Sequence, residues 1–114
     1  MKNGARTINP DQLKFTPRFA YGDQAQLAAV CSAEDGTKLG SGYVRLANAE
    51  IPWTIKYDEV LLVLEGEMTV RTADGDLTAG PQESIWLPAG TELTYFAENA
   101  LVFYAIHPND WNAE

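Results

Sequence analysis

The sequence predicts an all-β domain, a sandwich or barrel, on three observations. Short apolar runs recur along the 114 residues with glycine or proline between them, which is the spacing of strands and turns. An Asp-Gly pair, Asp74-Gly75, separates two such runs, where glycine takes a positive φ at little cost and closes a hairpin. No segment combines a helix-length apolar period with a cap. At most one short helical turn is expected, around Pro10-Asp11-Gln12-Leu13.

The strands follow in order. Gln26 to Ser32 reads as one, closed by the turn signal Glu34-Asp35-Gly36, and Gly42 to Leu46 as another. Glu59 to Glu65 and Glu67 to Thr72 are expected to form a hairpin about Gly66. In the second of these, Met68 and Val70 alternate with Glu67, Thr69 and Arg71, which leaves one face wet. Leu77 to Ala79, Ser84 to Leu87, Thr91 to Ala97 and Leu101 to His107 complete the set. Three strands, Val60 to Leu64, Ile85 to Leu87 and Leu101 to Ile106, are apolar on both faces, so something must cover the outer one. Burying a Leu or Phe is worth about 1.5–3 kcal/mol, so leaving several in water is costly. The covering is expected from a second subunit, giving a homodimer, or from the N-terminal segment with Phe15 and Phe19.

At this length the chain is one domain with one closed core. Residues 1–25 are expected to pack on the barrel or on a partner subunit, and residues 26–114 to form the barrel. No apolar run approaches the ~20 residues that span a bilayer, and Met1 to Arg6 lacks the apolar stretch of a secretory signal. The single cysteine, Cys31, excludes an internal disulfide and suits a reducing compartment, so a cytoplasmic location is expected. The formal net charge is −8, and all eight Lys and Arg residues lie at or before Arg71. Seven acidic residues and no Lys or Arg follow from Thr72 onward. Such a surface repels phosphate polyanions, which argues against nucleic acid as a partner.

One stretch carries most of the functional information. Glu59 is followed after six residues by Gly66, and preceded at fixed spacing by Trp53 and Ile55. This resembles the first motif of the cupin barrels, G-x5-H-x-H-x3-E-x6-G, with Trp53 and Ile55 standing where the two histidines would be. The stretch from Gly80 through Pro88-Ala89-Gly90 resembles the second cupin motif, with Leu93 at its histidine position and Ala97 at its asparagine position. The resemblance implies a jelly-roll barrel of the RmlC-like cupin type that keeps the turns and one carboxylate but has lost its imidazoles.

A wider pattern narrows the family. Ile51-Pro52-Trp53-Thr54-Ile55-Lys56-Tyr57-Asp58-Glu59, Val63 to Glu67, Ala79-Gly80-Pro81 and Ile85 to Gly90 occur in one order, and Pro108-Asn109-Asp110-Trp111 closes the chain. Over roughly its last two-thirds the chain is similar to the cupin domain of the ethanolamine-utilisation Q proteins. That family is linked to ethanolamine catabolism and its microcompartment, and an acetate kinase activity is attributed to members. The usual extra N-terminal region is absent here, so the chain reads as a stand-alone relative.

Transition-metal sites need about three or four protein donors. Glu59 is the only motif ligand retained, while Trp53, Ile55 and Leu93 cannot coordinate. No metal and no other cofactor is therefore expected. A carboxylate buried among indole and phenol rings is instead a receptor for a small amine through ion pairing and cation–π contact. A small carboxylate is the other ligand to consider. The expected pocket residues are Trp53, Tyr57, Glu59, Leu93, Tyr95 and Tyr104, with Glu59 the candidate catalytic acid or base. Alternatively, Glu59 hydrogen-bonds a tyrosine and only fills the barrel. Three functions stay open: an accessory or ligand-binding cupin in amine or ethanolamine metabolism; an enzyme using Glu59 or assisting acetate and acetyl-phosphate interconversion; and a structural partner of a pathway enzyme or shell. The kinase reading meets no Gly-rich phosphate loop, and only Arg45 and Lys56 as basic candidates near the mouth. Ser/His/Asp catalysis has only His107 to draw on, with no serine in a nucleophile elbow.

Overall fold

The computed structural model describes residues 4–17 and 22–111. Eight strands make up the fold: β1 Thr16–Pro17, β2 Ala25–Cys31, β3 Gly40–Thr54, β4 Asp58–Gly66, β5 Met68–Thr72, β6 Gly75–Ala79, β7 Ser84–Leu87 and β8 Glu92–His107. Among the described residues helix is confined to single 3-10 turns at Pro10–Gln12 and Ala33–Asp35. The second is set by a capping box, in which Ser32 and Asp35 each accept from the other's end of the turn.

Two long strands organise everything else. β3 and β8 are antiparallel in one register from Gly40 opposite Ile106 to Thr54 opposite Glu92, with only Asn48 and Glu98 left unpaired between them. The expected strands were shorter: Gly42 to Leu46 within β3, and Thr91 to Ala97 and Leu101 to His107 as two separate strands in place of β8. In the structure Asn48 takes φ 47 within β3, a left-handed value that Asn tolerates better than most residues. The two strands bend together there. The C-terminal half of β8 then pairs with β4, and its N-terminal half with β5. One face of the barrel runs β1-β2-β3-β8-β4-β7, and the other is completed by β5 and β6.

The expected hairpin about Gly66 does not form. β4 pairs with β7 and β8, β5 pairs with β6 and β8, and the two lie end to end along β8. Gly66 ends β4 and makes the turn into β5. Its φ is 78, and a Cβ on it would stand 2.1 Å from the carbonyl oxygen of Asn99. The Asp74-Gly75 hairpin is present, joining β5 to β6.

Alternation along the strands puts Val63, Val70, Val102, Ile51, Ile55 and Leu87 wholly inside, each worth about 1.5–3 kcal/mol of burial. On the outer side Trp86 faces Val60 across the β7–β4 ladder, and Leu62 faces Phe103, which stacks edge-on against Tyr43. Trp86 is 59% and Val60 44% exposed. The N-terminal segment covers a different region: β1 pairs with β2, Arg6 donates to the Val30 carbonyl, and Phe15 lies under the Arg45 guanidinium. Phe19, the other aromatic expected to cover the sheet, lies outside the described residues.

Candidate functional site

Strand parity decides which way the acidic stretch faces. In β4, Asp58 points outward and accepts from the Ala89 N–H at 2.9 Å, which holds the Pro88-Ala89-Gly90 turn against the strand. Glu59 is the next residue, so its side chain enters the barrel, where it is 6% exposed. Its Oε1 accepts a hydrogen bond from the Tyr95 hydroxyl at 2.8 Å. Tyr95 reaches it from β8, through the interior.

Glu59 borders an interior cavity of about 170 Å³. Tyr57, Tyr95, Tyr104, Ile106 and Trp111 line it with Glu59, over a hydrocarbon floor from β2, β3 and β4 that includes Leu27, Val44 and Leu61. Among the described residues no Lys, Arg or His lines it. Tyr104 has room because its β3 neighbour is glycine: a Cβ on Gly42 would stand 2.8 Å from the phenol oxygen.

Of the six expected pocket residues, four meet at this wall: Tyr57, Glu59, Tyr95 and Tyr104. Trp53 and Leu93 do not line it. They are opposite each other in the β3–β8 ladder; Leu93 is buried in the core, and Trp53 stands behind Trp111, edge to face at 5.9 Å. With the fully buried Ile55 they occupy the corner where a cupin's imidazoles would converge. Indole and hydrocarbon offer no lone pair to an ion, so the residues present do not fit the metal that this motif holds elsewhere. Among the described residues no three His, Cys, Asp or Glu side chains are grouped to hold one.

Sequence reasoning missed Trp111 as a pocket residue. Its ring packs on Tyr57 at 5.3 Å and forms part of the cavity wall. The signal was the closing Pro108-Asn109-Asp110-Trp111, which marked a family without revealing that the chain folds back over the barrel. His107 is exposed, opposite Asp58 in the β4–β8 ladder, and does not reach the cavity.

A carboxylate in such a place can pair with one cation or move one proton. It disfavours an anion, because among the described residues of the lining none would neutralise a second negative charge.

Comparison with known proteins agrees with the fold and specifies the family. The chain is 29% identical over 115 residues to acetate kinase EutQ of Escherichia coli (strain K12), an alignment covering 98% of this chain and 49% of that protein. Acetate kinase EutQ of Clostridioides difficile (strain 630) is 26% identical over 82 residues, covering 71% of this chain and 52% of the relative. The chain thus spans about half the length of the curated relatives it matches. A crystal structure of an ethanolamine utilization protein Q from Salmonella typhimurium LT2 superposes with a TM-score of 0.86 at 26% identity, covering 96% of this chain and 90% of that one. An RmlC-like cupin from Shewanella frigidimarina, 12% identical with a TM-score of 0.74 over 95% of each chain, supports the fold alone. Among the described residues no helix is long and apolar enough to cross a membrane. The sequence model of the family described as ethanolamine utilisation protein EutQ matches residues 12–113, nearly the whole chain, and the chain therefore belongs to that family, with a cupin fold.

Proposed function

We propose that this chain is a metal-independent, ligand-binding cupin that serves ethanolamine utilisation by holding a small protonated amine in its barrel. The observation that carries the reading is the buried Glu59 carboxylate, fixed by Tyr95 at 2.8 Å in a cavity lined by tyrosines, Trp111 and hydrocarbon. An ammonium entering this space meets one opposite charge, and the faces of aromatic rings supply the rest of its solvation. A carboxylate or phosphate ligand would set like charge against Glu59, and none of the described lining residues is a Lys, Arg or His. That weighs against acetate or acetyl phosphate as the occupant, although the relatives of about twice this length carry the name acetate kinase.

The reading includes a homodimer formed through the outer face around Trp86, Val60, Leu62 and Phe103. What supports it is the exposure of Trp86 and Val60, side by side on paired strands. A second copy would remove both from water, and single exposed apolar residues need no such account whereas a contiguous patch does.

Thermal unfolding with ethanolamine, methylammonium and acetate tests the ligand. The two amines should raise the melting temperature and acetate should not. Stabilisation by acetate alone would reverse the assignment of charge.

A further inference from the structure

Beyond β8 the chain turns back over the end of the barrel. The Asn109 N–H donates to the Lys38 carbonyl at 2.8 Å. Its side-chain amide donates to the carbonyls of Thr37 at 2.8 Å and Leu39 at 3.2 Å. The Lys38 ammonium pairs with the Asp110 carboxylate. Gly40 permits the close approach, since a Cβ there would stand 2.9 Å from Cγ1 of Ile106 and 3.1 Å from Cβ of Asn109. This strap delivers Trp111 to the cavity, where it meets Tyr57 at 5.3 Å and Trp53 at 5.9 Å.

The strap differs from the rest of the cavity wall in how it is held. Glu59, Leu61, Tyr95, Val102 and Tyr104 sit in ladders paired on both sides, and moving any of them means breaking the barrel. Pro108 to Trp111 belongs to no strand, and its hydrogen bonds and ion pair go to one short loop, Thr37 to Leu39. Segments held by a few exposed polar contacts open at far lower free energy than ladder strands. Apart from Tyr57, in the turn between β3 and β4, the strap is the part of the described wall that lies outside the strands, and its indole stands on the same cavity as the carboxylate.

We propose that Pro108–Trp111 is the gate of the cavity and that Trp111 is a ligand-contacting wall, its ring face receiving the cation that Glu59 neutralises. The gate rests on geometry alone. The contact with a cation rests on the reading of the site given above.

Two measurements separate these parts. In a Cys31→Ser background, Leu61→Cys puts the protein's only thiol inside the cavity, and Asp74→Cys puts it in the exposed β5–β6 turn as a control. The rate of modification by 2-aminoethyl methanethiosulfonate is followed by mass spectrometry. Releasing the strap with Lys38→Ala and Asn109→Ala together should raise the rate at position 61 at least tenfold and leave position 74 unchanged. Equal rates at position 61 with and without the strap contacts overturn the gate. Ile106→Cys, also on the cavity wall, serves if the position 61 variant fails to fold. For the ligand contact, ethanolamine affinity is measured by calorimetry. Trp111→Ala should weaken it at least fivefold and Trp111→Phe should restore most of the loss, whereas unchanged affinity in Trp111→Ala overturns the contact. If ethanolamine fails to bind the unmodified protein, the cation contact falls together with the amine reading, and the thiol rates still decide the gate.

Discussion

Replacing Glu59 by Gln is the most direct test of the site, because it removes one charge and almost nothing else. The amide oxygen of Gln can still accept the Tyr95 hydroxyl, so the 2.8 Å contact inside the barrel survives as a neutral hydrogen bond. A hydrogen bond to a charged group contributes about 1.5–3 kcal/mol and a neutral one about 1 kcal/mol. The change therefore costs the unliganded protein at most about 2 kcal/mol, and relief of the desolvation of a buried charge offsets part of that. Binding is affected differently. An ammonium bound at Glu59 loses its only opposite charge, and the same 1.5–3 kcal/mol now falls on affinity. At about 1.4 kcal/mol per factor of ten, the dissociation constant for ethanolamine should rise roughly 10- to 150-fold. Calorimetry measures that directly, and thermal unfolding supplies the check that the variant is folded. Ligand at 100 times its dissociation constant stabilises by about 2.7 kcal/mol, a shift of the order of 10 °C in a domain of this size. At the same amine concentration the shift in the Gln variant should fall to between about half and about a tenth of that. A folded Glu59→Gln protein that binds ethanolamine as tightly as before would refute the reasoning, since no cation–carboxylate pair could then be at work.

Three further outcomes test other parts of the structure. Gly66→Ala combines a positive φ with a Cβ placed 2.1 Å from the Asn99 carbonyl. The left-handed conformation alone costs about 1–2 kcal/mol, so the urea midpoint should fall by at least that equivalent; an unchanged midpoint would mean the crossing from β4 to β5 is made differently. Trp86→Asp with Val60→Asp should convert a dimer to a folded monomer in sedimentation equilibrium, and identical masses for the two proteins would remove this face as the interface. The Lys38 hydrogen bond holds Asp110 below its ordinary value of 3.8, with the charges of Lys38 and His107 acting in the same direction. Because the folded value is depressed, the contribution is fully present above 3.8 and is lost as pH falls through the lower folded value. An NMR titration should find the Asp110 midpoint below 3.8 in the unmodified protein and back near it in Lys38→Ala; equal midpoints would show that the strap is not clamped by this pair.

How much was legible in the sequence depends on the range of the interaction concerned. The β-rich architecture and the Asp74-Gly75 turn follow from strand spacing and turn chemistry, both of which act over a few residues, and the inward aim of Glu59 was implied by its motif position. The lengths of β3 and β8 do not. Asn48 and Pro52 carry the marks of strand breakers, but fourteen paired positions, interrupted only at Asn48, outweigh local preference when each strand has the other for nearly its full length. The hairpin at Gly66 failed for a related reason. Two adjacent strands pair with each other unless a longer strand offers each a separate partner, and β8 does.

The pocket divides along the same line. Tyr57, Glu59, Tyr95 and Tyr104, named from the sequence as pocket residues, do line the cavity, although Tyr95 and Tyr104 share that interior only because the inward-facing positions of β8 shift by one residue at Glu98-Asn99. Trp53 and Leu93 were expected beside them on motif position alone, and both belong to the filled corner instead. Trp111 could not be assigned, because its place depends on a chain reversal fixed by contacts between Asn109 and a loop some seventy residues earlier. By itself the sequence determined the fold class, the family resemblance, the loss of the imidazole donors and the inward carboxylate, since spacing and residue chemistry are local properties. Only the tertiary structure decided which aromatic rings share the cavity with Glu59 and that the Pro108–Trp111 segment reaches its wall, since those depend on where distant parts of the chain meet.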